Sequence, residues 1–176
     1  MDTTPMKIDD IDWTNWNPQQ RATLLFVIKD GQILLIHKKR GLGAGKINGP
    51  GGRLEPGETP YDAAVRETQE EVGLTPTDAV QVGELHFQFV DGLSLFVTAF
   101  SATQFTGTLT ETDEALPFWC DVDAIPYEKM WQDDIFWLPL LLKDQTFRGF
   151  FTFDESTMLD RRIDTCPAEP SSRRSS

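Results

Sequence analysis

The alternation of apolar and polar positions predicts strands along much of the chain. Residues 22–28 are an apolar run, residues 29–31 have turn composition, and residues 32–37 return as a second apolar run. Two such runs around a short turn predict a β-hairpin. Further strands are predicted at residues 80–90, 93–100, 115–122 and 147–153.

Helix signals stand between these strands. Thr59 is a favoured N-cap, a proline follows at the first helical position, and Gly73 is a C-terminal stop, so residues 60–72 predict a helix. A second helix is predicted at about residues 135–143, where Pro139 indicates a late start or a kink. Strands on both sides of an early helix, with another helix near the end, predict an α/β sandwich around a mixed sheet.

The ends of the chain differ from the middle in composition. Residues 1–20 are polar and predict an irregular arm, whose Trp13 and Trp16 would pack on the domain or on a partner. Residues 164–176 end in a segment rich in proline, serine and arginine, which predicts a disordered tail. The folded domain is therefore expected at residues 21–163.

Composition narrows the class of protein. The chain has 176 residues, 39% hydrophobic and 25% charged, which suits one soluble domain. No apolar stretch approaches the roughly 20 residues of a membrane helix, so no membrane partner is expected. No signal-peptide pattern is present, and two cysteines favour a reducing, cytoplasmic setting over a disulfide framework, although a single bridge stays an alternative.

Charge is distributed unevenly along the chain. The net charge of -12 argues against binding to nucleic acid polymers. Residues 38–53 nevertheless contain five basic residues, six glycines and no acidic residue. A basic, glycine-rich loop in an acidic protein favours a small phosphorylated ligand, and a flexible solvated loop is an equally good interpretation.

The predicted helix at 60–72 is acidic on one face. Glu67, Glu70 and Glu71 have i, i+3, i+4 spacing, which places three carboxylates together. Like charges so close repel one another, and a divalent cation with oxygen ligands would relieve that repulsion. A solvated acidic face is the alternative interpretation.

The spacing around this helix is more specific than the acidic face alone. The chain has Gly52, five residues, Glu58, seven residues, Arg66-Glu67, then Glu70-Glu71 and Gly73-Leu74. This pattern resembles the signature of Nudix hydrolases at every fixed position. Thr68 departs from the pattern, since an aliphatic residue is usual there, but its methyl group can pack in a core.

The resemblance implies a fold, a reaction and a set of functional residues. It implies a Nudix-type α/β/α sandwich that hydrolyses a nucleoside diphosphate-linked compound with Mg²⁺, for which Mn²⁺ can substitute. The implied metal ligands are Glu67, Glu70, Glu71 and the Gly51 carbonyl. Arg66 would brace the glutamates and Glu58 would tie the loop to the helix. Glu114 resembles a glutamate that approaches the metal in related enzymes, and a simple loop residue is the alternative.

Two other segments point to a substrate. Residues 38–49 (KKRGLGAGKING) and 130–142 (MWQDDIFWLPLLL) resemble the oxidised-purine triphosphatases of the MutT type within this family, and the likeness covers about residues 22–163. It implies that Asn48, Asp133 and Asp134 hydrogen-bond the base and that Trp131 stacks on it. The implied remainder of the pocket is Thr23, Lys38, Phe87, Phe89 and Trp137.

Alternatives stay open for these residues. Asp133-Asp134 also suit a helix N-cap, and Phe87 and Phe89 also suit a plain core. Aromatic residues of the related enzymes are replaced here by Leu42, Ile47 and Pro50, so base preference could differ.

Three functions are therefore compared. The first is hydrolysis of oxidised purine triphosphates such as 8-oxo-dGTP or 2-oxo-dATP, the second is hydrolysis of another Nudix substrate, and the third is nucleotide binding without turnover. A monomer or weak dimer is expected, with a small nucleotide as its partner.

Overall fold

The first hairpin begins the central sheet. In the computed structural model, which describes residues 6–166, β1 (Gln20–Lys29) pairs antiparallel with β2 (Gln32–Lys38). Asp30 and Gly31 connect the two strands with φ of 54° and 76°. A two-residue turn with positive φ matches the twist of the flanking strands, and the predicted hairpin is present.

The sheet is mixed and grows on both sides of this hairpin. Its strand order is β11-β10-β6-β7-β1-β2-β3, with β4 paired to β1 and β9 paired to β2, while β5 and β8 form a separate small sheet. The β1–β7 and β6–β10 pairs are parallel. The remaining strands are β3 (Ile47–Asn48), β4 (Gly51–Arg53), β5 (Leu74–Pro76), β6 (Val80–Phe89), β7 (Ser94–Ala102), β8 (Phe105–Gly107), β9 (Ala115–Asp121), β10 (Thr146–Asp154) and β11 (Thr157–Cys166).

Two helices follow the sequence signals closely. The first, α1 (Pro60–Val72), begins where the Thr59 hydroxyl accepts a hydrogen bond from the Asp62 N–H at 3.1 Å. The second, α2 (Asp134–Leu142), starts one residue earlier than expected and contains Pro139 inside it. Short 3₁₀ turns occur at Ile8–Asp10 and Tyr127–Lys129.

The helices lie on opposite faces of the sheet because the strands alternate apolar side chains between those faces. On β1, Leu25 and Val27 belong to the core that also contains Ala64 of α1. Phe26, between them in sequence, packs on Trp137 of α2 with ring centroids 5.9 Å apart. This arrangement confirms the predicted α/β/α sandwich around a mixed sheet.

The C-terminal boundary differs from the expectation. Residues 164–166, assigned to the tail from composition, belong to β11, and the rest of the predicted tail lies outside the described residues. The strand β11 is at the edge of the sheet, and its residues 157–165 include none that is fully buried. This edge strand therefore lacks the apolar run by which β1, β2, β6, β7, β9 and β10 were predicted. The short strands β3, β4, β5 and β8 were not predicted either.

The segment before β1 is largely irregular and packs on the sheet. Trp13 and Trp16 contact the face of the sheet that carries His86 and Phe150. Between residues 6 and 166, none of the helices has the length and apolar character needed to cross a membrane.

The end of α1 yields a stability prediction. Gly73 has φ of 82°, and a Cβ there would lie 2.5 Å from the Thr108 carbonyl oxygen, whereas Gly57, with φ of 78°, has open space around it. Gly57→Ala should cost about 1 kcal/mol from backbone strain alone. Gly73→Ala should cost roughly 1–3 kcal/mol more, because strain and crowding add. Urea unfolding of both variants measures the difference, and equal losses would contradict the role of crowding.

Candidate active site

A single cavity of about 640 Å³ brings together most of the residues selected from the sequence. Its volume is in the range of sites for small molecules. The cavity contains all nine residues expected to contact substrate: Thr23, Lys38, Asn48, Phe87, Phe89, Trp131, Asp133, Asp134 and Trp137. Gly51, Glu67, Glu71 and Glu114 also line it, whereas Glu58, Arg66 and Glu70 do not.

Helix α1 presses two carboxylates against the backbone of β4. Glu71 is 2% exposed, and its Oε1 accepts a hydrogen bond from the Gly51 N–H at 2.9 Å. The Glu67 carboxylate lies so close to Gly52 that a Cβ there would overlap it. Glycine is therefore required at position 52 by the Glu67 carboxylate, and at position 51 because a Cβ would overlap the Thr23 carbonyl oxygen of β1.

Burial disfavours the ionised forms of the Glu67 and Glu71 carboxylates. Burial raises the pKa of Glu71 to about 8, the Gly51 N–H opposes the shift, and the Glu67 charge adds to it. Burial also raises the pKa of Glu67, and the Arg66 guanidinium opposes that shift. Because both groups lack solvation, a cation placed between them would favour their ionised forms.

Arg66 joins the surrounding glutamates. Its Nε and Nη2 donate to the two oxygens of Glu58 at 2.7 and 2.9 Å. Its Nη1 donates to Glu67 at 2.8 Å and to Glu70 at 2.9 Å. These hydrogen bonds lower the pKa of Glu58 to about 2 and raise the pKa of Arg66 itself. One guanidinium thus offsets part of the repulsion among three carboxylates.

The other end of the cavity holds a buried pair of acids. Asp133 and Asp134 are 1% and 5% exposed. Trp137 Nε1 donates to Asp133 Oδ2 at 2.6 Å, and Asp133 Oδ1 receives no hydrogen bond from an N–H or hydroxyl group of the described residues. Asp133 occupies the N-cap position of α2, but its side chain makes no capping hydrogen bond. The carboxylate is therefore directed to Trp137 and the cavity rather than to the helix end.

Burial shifts the pKa values of both acids upward. Burial raises the pKa of Asp133 to about 6, although the Trp137 N–H lowers it. Burial raises the pKa of Asp134 well above its usual value, and the neighbouring Asp133 charge raises it further. Both carboxyls therefore resist ionisation, and a proton retained by the pair would be available to a ligand in the cavity.

Aromatic rings enclose the same end. Trp131 contacts Phe89 and Phe153 edge-on, at centroid distances of 6.3 and 5.6 Å. Lys46 Nζ lies 5.2 Å from the centre of the Trp131 ring. Phe89 is buried and Phe87 half-buried, so both contribute to the core as well as to the cavity.

Several lining residues were not selected from the sequence. Gln20 and Arg53 lie on the paired strands β1 and β4, and Leu93 and Leu95 lie at and after the β6–β7 turn. Strand pairing brings these residues to the cavity, and no spacing rule predicts that. For Arg53 there was a signal in the sequence, because it is the last basic residue of the glycine-rich loop.

Residues 18–141 match the model of the NUDIX domain. The chain belongs to the Nudix family. It is 42% identical over 144 residues to the oxidized purine nucleoside triphosphate hydrolase of Danio rerio, covering 81% of this chain and 92% of that protein. It is 43% identical over 148 residues to the protein of the same name from Mus musculus, covering 81% and 95%.

Solved structures agree with this assignment. The MutT protein of Bacillus halodurans superposes with a TM-score of 0.75 and 27% identity, covering 82% of this chain and 97% of that one. The protein is thus a Nudix hydrolase in both sequence and fold.

Nudix hydrolases typically use a divalent metal ion, and the donor set here fits one chemically. The cavity offers carboxylate oxygens from Glu67 and Glu71, which hard cations prefer. Across residues 6–166 no group of three acidic, histidine or cysteine side chains is yet arranged to hold an ion. Glu67 and Glu70 are bonded to Arg66, and Glu114 pairs with Arg40 at 3.1 Å. Several of the expected ligands are thus paired with arginines and are not arranged around a common point where an ion could bind.

The Arg66 hydrogen bonds yield a prediction about pH and stability. The pKa of Glu58 falls from 4.5 to about 2 on folding, so its contribution is complete above pH 4.5 and is lost as the pH falls toward 2. Arg66→Met should therefore lower Tm by roughly 5 °C at pH 7 and by less below pH 4.5. Thermal unfolding by circular dichroism measures this.

Arg148→Met is the matched control. Arg148 pairs with Glu84 at 3.4 Å, and both side chains are more exposed than the Arg66–Glu58 pair. Its loss should change Tm little at any pH, because exposed ion pairs contribute little. A pH-independent loss of Tm in Arg66→Met would contradict the electrostatic account.

Proposed function

We propose that this protein hydrolyses oxidised purine nucleoside triphosphates, such as 8-oxo-dGTP and 2-oxo-dATP, to the monophosphate and pyrophosphate with Mg²⁺. One observation carries the proposal: a single cavity joins Glu67 and Glu71 of α1 to the buried pair of Asp133 and Asp134. The relatives from Danio rerio and Mus musculus are named for this activity and are covered almost entirely by the similarity. Such an enzyme would remove damaged precursors before they enter DNA.

Base recognition is assigned to the acidic end of the cavity. A protonated Asp134 donates a hydrogen bond and an ionised Asp133 accepts one, which suits a base edge that presents both kinds of group. Asn48, on β3, adds a donor and an acceptor to the cavity lining. Stacking on Trp131 would contribute about 1–3 kcal/mol for any flat base. Discrimination between purines therefore depends on the polar groups rather than on stacking.

Hydrolysis is assigned to the α1 end. Glu67, Glu70 and Glu71, with the Gly51 carbonyl and Glu114, would hold Mg²⁺, which supplies charge neutralisation of the phosphates and a polarised water. A carboxylate of this set accepts the proton of the attacking water.

The remaining groups of this end position the reactants. Lys38, on the cavity wall, brings positive charge toward the phosphate chain. Arg66 keeps Glu67 and Glu70 oriented through its hydrogen bonds at 2.8 and 2.9 Å, and Glu58 fixes Arg66 in turn.

The setting proposed for this reaction is a reducing compartment such as the cytoplasm, with the protein as a monomer or weak dimer. A free thiol at Cys120 is compatible with that compartment.

The direct test is pyrophosphate release with Mg²⁺ from a panel of nucleotides: 8-oxo-dGTP, 2-oxo-dATP, dGTP, dATP, O6-methyl-dGTP and ADP-ribose. We expect the highest kcat/KM for the oxidised purines. Glu70→Gln and Glu71→Gln should each lower kcat at least about 100-fold, because the neutral amide is a poor metal ligand and no base. Circular dichroism should show an unchanged fold, since in Glu71→Gln the new amide oxygen can still accept from the Gly51 N–H.

The panel also separates the alternatives. Preferential turnover of another compound would keep the metal site but replace the substrate. Nucleotide binding without any turnover would favour a binding module. Full activity in both glutamine variants would refute the assignment of the metal ligands.

A second prediction concerns the buried acids. Because the pKa of Asp133 is about 6, its acceptor is present at pH 7 and mostly protonated at pH 5. The affinity for 8-oxo-deoxyguanosine should therefore fall about tenfold from pH 7 to pH 5. The nucleoside is used because a phosphate would itself titrate in this range. Isothermal calorimetry without metal measures it.

Two variants control this experiment. Asp133→Asn should bind the nucleoside weakly and without this pH dependence. Asp134→Asn keeps a neutral donor beside Asp133 and should retain the dependence. A wild-type affinity that is constant from pH 7 to pH 5 would exclude Asp133 as the acceptor.

A further inference from the structure

The segment before β1 packs on the sheet face opposite the cavity. We name residues 6–19 the aromatic arm. The rings of its two tryptophans lie 5.2 Å apart. Trp16 lies 5.5 Å from His86, and Trp13 lies 5.1 Å from Phe150, measured between ring centroids. Near the start of the arm, Ile8 is 3% exposed. The arm is thus anchored by apolar contacts at Ile8, Trp13 and Trp16.

Hydrogen bonds tie this arm to one particular place in the sheet. Trp16 Nε1 donates to Gln88 Oε1 at 2.8 Å, and the Gln19 N–H donates to Ser94 Oγ at 2.9 Å. Gln88 and Ser94 are direct partners across the β6–β7 pair. The arm therefore contacts both residues of the last pair before the β6–β7 turn.

Gln88 also forms hydrogen bonds with the turn itself. Its Nε2 donates to the carbonyl oxygens of Phe89 and Leu93, at 3.0 and 3.3 Å. The Phe89 N–H also donates to the Leu93 oxygen at 2.9 Å. The amide of Gln88 thus spans both ends of the turn while Trp16 fixes its oxygen.

The same two strands form a wall of the cavity. Side chains alternate between faces along a strand, so the neighbouring pair, Phe87 and Leu95, points away from the arm. Both residues line the cavity, as do Phe89 and Leu93. A shift of the turn would therefore move the apolar wall beside Trp131.

We propose that the aromatic arm is a positioning element for base recognition: by holding Gln88 and Ser94 from behind, it fixes the wall formed by Phe87, Phe89, Leu93 and Leu95. Trp16 and Gln88 act through that wall and do not contact the ligand. The identity of the ligand rests on the proposed function, whereas the coupling of arm and turn does not.

The test compares two tryptophans that lose the same group. Trp16→Phe keeps a ring but removes the N–H that bonds Gln88. Trp13→Phe is the matched control, because Trp13 Nε1 donates to the Ile8 carbonyl at 3.0 Å, within the arm. Both variants should lower Tm to a similar extent, and only the first should disturb the turn.

Two readouts distinguish positioning from stability. Trp16→Phe should weaken binding of 8-oxo-deoxyguanosine about fivefold, the scale of one neutral hydrogen bond, and speed hydrogen exchange of the amides at residues 89–94. With 8-oxo-dGTP it should raise KM by a similar factor and leave kcat within about twofold. Trp13→Phe should change none of these values.

A double-mutant cycle tests the route through Gln88. In a Gln88→Met background, Trp16→Phe should have no further effect on binding, because its hydrogen-bond partner is already gone. Equal effects of Trp16→Phe with and without Gln88 would overturn the proposed route.

Other outcomes are equally decisive. Unchanged binding and exchange in Trp16→Phe, or equal weakening by Trp13→Phe, would overturn the proposal. If the wild-type protein binds no oxidised purine nucleoside, the proposed function fails at base recognition. Hydrogen exchange at residues 89–94 then still tests the coupling between the arm and the turn. Faster exchange in Trp16→Phe but not in Trp13→Phe supports the coupling, and equal exchange in the two variants refutes it.

Discussion

The contact between α1 and β4 is the constraint on which the site depends. It presses Glu67 and Glu71 against a glycine backbone, where burial raises the pKa of both. The arrangement persists because Arg66 donates to Glu58, Glu67 and Glu70 at once. Groups that resist ionisation in isolation gain most from a bound cation. A divalent cation bound to these carboxylates would therefore offset the cost of burying them.

The two ends of the cavity use carboxylates in opposite ways. At the α1 end, Arg66 favours ionised oxygens that can bind a cation. At the other end burial raises the pKa of both Asp133 and Asp134. The Asp133 charge raises the pKa of Asp134 further, and the Lys46 charge opposes that shift. Carboxylates oriented by an arginine suit a metal with its phosphates, and a buried pair of acids suits a base edge. One cavity can therefore address both parts of a nucleotide.

The sheet connects these ends to the rest of the molecule. Since side chains alternate across it, β6 presents Phe87 and Phe89 to the cavity while His86 and Gln88 face the aromatic arm. The aromatic arm, which lies outside the cavity, therefore contacts residues of β6 that alternate with the residues of the cavity wall. This arrangement is the basis of the proposal that residues outside the cavity influence the shape of its wall.

The sequence alone determined what depends on local geometry. Thr59, the proline after it and Gly73 predicted the bounds of α1, because caps act within one helical turn. Helical spacing placed the three glutamates together for the same reason, and a signature with fixed intervals identified the family. The base pocket was predicted from the resemblance alone, since no local sequence pattern connects Asn48 with Asp133.

Tertiary structure decided whatever depends on pairing distant segments. It brought Gln20, Arg53 and Leu95 to the cavity, and made β11 an edge strand too polar to predict. It also raised the pKa of Asp134, because burial and a neighbouring carboxylate disfavour the ionised form, and burial cannot be deduced from the local sequence. Local sequence specifies which groups are available, and only the packed sheet specifies which of them meet and how water is excluded from them.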